Sequence, residues 1–117
     1  MELTFSDAVI QKLNHYLKAD TKTVLDFDDG VGPFSDAATC TLDASFNLDF
    51  VRPDQLTDEF NDTIKSNLGT VYVKKYSKDQ MNPKMVMELN PKNLTYVLKG
   101  DSGILDENVQ VINLQNQ

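Results

Sequence analysis

The chain is poor in the side chains that carry most enzyme and metal chemistry: one cysteine, Cys40, one histidine, His15, and one arginine, Arg52, in 117 residues. A lone cysteine closes no internal disulfide and agrees with a reducing compartment. A Ser/His/Asp or Cys/His triad would have to recruit His15, which sits badly with its place on the polar side of the first helix. One arginine with short basic groupings such as Lys74-Lys75 supplies neither a bidentate base reader nor its phosphate clamps, so nucleic acid is not an expected partner. No window approaches 18 consecutive apolar residues, and Glu2 and Asp7 stand where a secretion signal needs a basic start. No membrane association is expected, and the expected address is cytoplasmic. Five glycines and four prolines, with no internal repeat or flexible linker, exclude collagen-like and low-complexity chains.

What is present describes one domain, residues 1–117. Hydrophobic residues make up 40% and charged residues 25%, enough for an ordinary core at a length below that of two domains. Eighteen acidic residues against eleven basic ones leave a net charge of −7, which repels phosphate backbones and anionic lipid and suits a basic partner.

The first segment reads as a helix capped by Ser6. Val9, Ile10, Leu13, Tyr16 and Leu17 fall on one face, with Gln11, Asn14, His15 and Lys18 opposite. After Asp20 the period changes to two. Leu25 and Phe27 share a strand face, and the run Cys40, Leu42, Ala44, Phe46, Leu48, Phe50 predicts a long strand or bent strand pair, one face buried and the other in water. Residues 53–69 leave two readings open, a short helix through Leu56, Phe60 and Ile64 or an ordered loop. Strands are predicted at 70–74, 85–89 and 94–98, the last two joined by an Asn90-Pro91-Lys92-Asn93 turn. A further turn falls at 100–103 and an edge strand around 109–114. One helix and five or six strands joined by short turns predict an α+β domain with a largely antiparallel, sandwich-like sheet system.

The segment from Asp26 to Asp36 gathers acids and glycines at a strand end, where a loop can approach a ligand. It is no dinucleotide fingerprint, because Ser35 stands where the third glycine belongs and a strand follows. Nor is it a calcium loop: Gly30 and Ala37 occupy ligand positions. A solvated acidic turn is the simpler reading, with weak divalent binding by Asp26, Asp28, Asp29 or Asp36 as the other. Cys40 shares parity with apolar neighbours and reads as a small buried hydrophobe. Met81, Met85 and Met87 read as core filler. Nothing singles out a pair of carboxylates for acid–base work, although eighteen acids leave that route open.

Taken in order, Leu3-Thr4-Phe5-Ser6-Asp7 before a helix, Phe27-Asp28-Asp29-Gly30-Val31-Gly32-Pro33 after a strand, Gly69-Thr70-Val71-Tyr72-Val73-Lys74 and Leu98-Lys99-Gly100-Asp101-Ser102-Gly103-Ile104-Leu105 resemble the HesB-like, A-type iron–sulfur cluster biosynthesis family, in particular its short variants from low-GC Gram-positive bacteria. The resemblance implies a HesB-like fold over about residues 1–113 and, for typical members, a carrier or scaffold for iron or an iron–sulfur cluster held by cysteines. Typical members place a cysteine in the Gly-rich turn and a Cys-x-Cys pair near the C-terminus. Here the turn holds Val31 and Pro33, and residues 105–117 contain no cysteine. The expectation is therefore a degenerate, non-enzymatic member that binds a protein or small molecule, with no catalytic, cofactor-binding or metal residue assigned and no cofactor of its own. Its protein partner would be basic or belong to cluster assembly, and exposed sheet edges could pair in a homodimer. Two alternatives stand beside it: an iron or cluster carrier using Cys40 across an oligomer interface with help from the acids at 26–36, and a small hydrolase working through carboxylates.

Overall fold

Alternation of apolar and polar residues is the dominant local signal, and it resolves into eight strands in the computed structural model, which describes residues 1–28 and 45–117. The elements are β1 (Glu2–Phe5), α1 (Asp7–Leu13), β2 (Lys22–Asp28), β3 (Ser45–Val51), β4 (Asp62–Ser66), β5 (Val71–Val73), β6 (Lys84–Leu89), β7 (Tyr96–Gly100) and β8 (Gly103–Asn113). Single 3-10 turns lie at Asn14–Tyr16 and Pro53–Gln55, and a six-residue 3-10 stretch at Lys75–Gln80.

The strands close into a barrel in the order β1-β4-β5-β2-β3-β8-β7-β6. This overturns the expected helix-plus-sandwich arrangement. Half of the pairings are parallel, β1 with β4, β1 with β6, β2 with β5 and β3 with β8, so the sheet is not largely antiparallel either. Two strands make the closure. β1 lies between β4 and β6, while β8 is long enough to pair β7 through Gly103–Val109 and then β3 through Gln110–Asn113. The C-terminal strand is therefore interior to the sheet rather than an edge. The described strands close into a ring, so none of them stands as the outer strand of an open sheet.

Eight strands give an interior that side chains can fill. Leu3, Phe5, Leu25, Phe46, Leu48, Phe50, Val71, Met85, Met87 and Leu98 fill it here. Met81 is buried with them, so Met81, Met85 and Met87 all serve as core filler. Ser6 caps α1 by accepting the Val9 N–H at 3.4 Å, and Val9 and Leu13 face the same core beside β6. The helix tightens to 3-10 after Leu13, leaving Tyr16 half-buried with its ring stacked on Phe50 at 5.4 Å. Gln11, Asn14, His15 and Lys18 are exposed, as the helical pattern requires.

Residues 53–69 hold neither an α-helix nor a continuous loop but a 3-10 turn followed by β4. β1 has no counterpart among the sequence-based elements. The Asn90–Asn93 turn does join two strands, closed by Asn90 N–H to Thr95 O at 2.9 Å and Leu94 N–H to Asn90 O at 2.8 Å. Gly103, at φ +117, makes the turn into β8 in a conformation that suits glycine.

Candidate functional site

The chemistry-bearing cluster of the described residues lies on the outer face of β2 and β3. Phe46, Leu48 and Phe50 point inward, so Asn47, Asp49 and Val51 point outward. Across the ladder Val24 faces Asp49 and Asp26 faces Asn47, which makes Asp26 and Asp49 diagonal neighbours on one face. That face is not in water: Asp26 and Asp49 are both 0% exposed. A second apolar cluster explains part of the burial. Val24, Val51 and Phe60 pack together there, with Leu56, Tyr72 and Leu114 against them.

Lys74, placed just after β5 and itself buried, puts its Nζ 3.0 Å from Asp26 Oδ1. The same ammonium lies 5.8 Å from the Phe60 ring centroid, a cation–π distance. Asp49 is different. Among the described residues, neither of its carboxylate oxygens has a hydrogen-bond partner. Burial, then the charges of Asp26 and Asp28, push its pKa from 3.8 up to about 7, against the opposing pull of Lys74. The face thus holds one carboxylate paired with an ammonium and another adapted to carry a proton.

The acidic segment predicted as a ligand loop divides. Asp26 belongs to a strand and is ion-paired, which overturns its reading as part of a solvated turn. Asp28 ends β2 half-buried. Asp29, Gly30, Val31, Gly32, Pro33, Asp36 and Cys40 lie outside the described residues. His15 is exposed and packs its ring on Tyr16 at 4.0 Å, with no carboxylate or thiol brought to it among the described residues. Among those residues no group of three His, Cys, Asp or Glu side chains is arranged to hold a metal ion, and no helix is long and apolar enough to cross a membrane.

Asp49 and Lys74 escaped the sequence reading because strict alternation assigns Asp49 to water. The signal that could have found them is Val24 and Val51, two apolar residues on the parity assigned to solvent. The hydrolase alternative required two acids with unlike environments in a deep pocket. Asp26 and Asp49 have unlike environments, but both are sealed. A surface groove of about 410 Å³ beside the β6–β7 hairpin is lined instead by residues such as Glu88, Lys92, Val97, Lys99 and Ile104.

Comparison with known proteins identifies the family. The model of the iron–sulphur cluster biosynthesis family matches residues 1–113, and the chain belongs to that family. A crystal structure of a protein assigned to Fe–S biosynthesis from Lactobacillus salivarius superposes with a TM-score of 0.87 at 33% identity, covering 98% of this chain and 99% of the other. A second such protein, from Lactobacillus acidophilus, superposes with a TM-score of 0.75 at 24% identity, covering 97% and 90%, and shares the fold. No curated protein matches.

Proposed function

We propose that this chain is a non-catalytic member of the iron–sulfur cluster biosynthesis family that binds a partner and holds no cluster of its own. The observation that supports this reading is the donor set. A cluster needs about four protein ligands, mostly thiolates, and the whole sequence contains one cysteine and one histidine. Even a homodimer contributes two thiols, and carboxylates are poor substitutes on soft cluster iron. The barrel interior is filled by apolar side chains, which leaves recognition to the surface. With a net charge of −7, that surface suits a basic partner or a basic patch on a component of cluster assembly. The reading includes a cytoplasmic address, in keeping with the single cysteine.

Anaerobic reconstitution with iron and sulfide, followed by visible absorbance and metal analysis, tests it. The expected outcome is no stoichiometric iron or sulfide after desalting. A brown, stoichiometrically loaded protein whose cluster is lost in Cys40→Ala would overturn the proposal and establish a carrier that works across an oligomer interface.

A further inference from the structure

We propose that the outer-face cluster of Asp26, Asp49 and Lys74 is a proton-operated latch: with a proton on Asp49 the segment 52–61 stays seated on the face of β2 and β3, and loss of that proton releases it. The inference stands apart from whether the chain carries a cluster.

The argument begins with charge. The buried face holds two carboxylates and the Lys74 ammonium. Residues 29–44 contain no lysine, arginine or histidine, so every basic side chain of the protein lies among the described residues. Among the described residues, the charged groups acting on Asp49 are Asp26 and Asp28 of β2, which repel a charge there, and Lys74, which favours one. On the other flank β8 sets Ile112 beside Asp49, with no titratable group, and β5 contributes the Tyr72 phenol. The segment 52–61 adds Asp54, Asp58 and Glu59, all exposed, with Asp54 held by Arg52. With Asp49 protonated, the Asp26, Asp49 and Lys74 trio is neutral. Once Asp49 ionises, a buried negative charge has no hydrogen-bond donor among the described residues, and the fold must admit water or bring a donor to it.

The segment 52–61 is built to move in response. It is tied at both ends, by Gln55 Nε2 to Leu114 O at 2.7 Å and by Lys75 N–H to Asn61 Oδ1 at 2.9 Å. Between these ties Leu56 and Phe60 seat against Val24 and Val51, the neighbours of Asp49 across the ladder and along its own strand. Phe60 also lies over the Lys74 ammonium that holds Asp26. The Lys74 ammonium thus acts on Asp49 by its charge, pairs Asp26 and lies by the ring that seats the segment, so a change of charge at Asp49 reaches Phe60 through one side chain.

The test pairs two measurements on the full chain between pH 5.5 and 9. Carboxyl carbon NMR follows the ionisation of Asp49. Amide hydrogen exchange, corrected for the intrinsic pH dependence, follows the Leu56 and Phe60 N–H groups, which bond Pro53 and Thr57 carbonyls. Both are read against Leu48 and Leu98 in the barrel. Opening at Leu56 and Phe60 is expected to rise at least tenfold across the range, with the same midpoint as Asp49, while the barrel amides hold. In Asp49→Asn the rise is expected to vanish. The proposal is overturned if Asp49 titrates below pH 5, if the two midpoints differ, if protection stays flat while Asp49 ionises, or if Asp49→Asn opens with wild-type pH dependence. Should Asp49→Asn fail to fold, agreement or disagreement of the two wild-type midpoints decides.

Discussion

A carboxyl that ionises near pH 4 in the unfolded chain and near pH 7 in the fold ties stability to pH in a fixed sense. Because the folded value of Asp49 is raised, its contribution is fully present below about 3.8 and is lost as pH rises through about 7. Three pH units correspond to about 4 kcal/mol at most. Urea unfolding of Asp49→Asn is expected to show a flatter stability profile between pH 5 and 9 and a higher midpoint than wild type at pH 9. The slope is the readout, since the amide is itself a buried polar group. Lys74→Met removes the ammonium 3.0 Å from Asp26 and leaves a buried carboxylate, a change expected to cost about 3–5 kcal/mol. The double variant Asp26→Leu, Lys74→Met should recover most of that loss, because a buried ion pair contributes little net stability over packed apolar groups. Denaturant midpoints of the three proteins check both statements. At this scale the sequence was legible for His15 and for the methionines, whose neighbours along the chain define their faces. It was not legible for Asp49, which is buried on a face where Leu56, Phe60 and Leu114 come from distant segments to pack on its neighbours Val24 and Val51.

Short strands hold the barrel together where long ones do not reach. β1 pairs β4 through only two residues, and Asn67 extends the junction with its side chain: Oδ1 accepts the Phe5 N–H at 2.8 Å and Nδ2 donates to the Phe5 carbonyl at 2.9 Å. The amide of Asn67 thus acts as one more strand residue. Asn67→Ala would leave Phe5, itself buried, with two backbone groups lacking those partners, and is expected to lower stability by about 1–3 kcal/mol by thermal unfolding. The β7–β8 turn has a comparable dependence. Asn82 Oδ1 accepts from the Ser102 N–H and hydroxyl at 3.1 and 2.9 Å, and a Cβ at Gly100 would collide with that oxygen. Gly100→Ala should therefore displace Asn82 and increase amide exchange at Ser102. Among the elements, α1, β2, β5, β6 and β7 were readable because each carries its own periodicity. β1 is four residues long and merges with the helix cap, and β4 has a single apolar residue, Ile64, so local pattern falls short for both.

At the scale of the whole molecule, the barrel is decided by pairings between distant segments. Hairpins such as β6–β7 announce themselves through a turn, whereas the parallel contacts of β1 with β6 and β3 with β8 join strands tens of residues apart. Nothing in a local window distinguishes a ring from two facing sheets, which is why a sandwich was expected. The polar ties around residues 114–117 are equally long-range. The Arg52 guanidinium donates to the carbonyls of Gln115 and Gln117, and Gln115 bonds Thr21 Oγ1 at 2.7 Å and the Tyr16 carbonyl at 2.8 Å. Arg52→Ala is expected to free residues 115–117 and raise their exchange while the barrel strands keep their protection. The position of β1 also bears on how the protein is made. Its Leu3 and Phe5 leave the ribosome well before β6 is synthesised, and at 5–20 residues per second the interval is about 4–17 s. For that time β1 lacks the partner it pairs along its full length, having at most the two-residue contact with β4 once residue 66 is made. Chains arrested before residue 84 should therefore engage trigger-type chaperones more strongly than chains arrested beyond residue 113, when the ring can close.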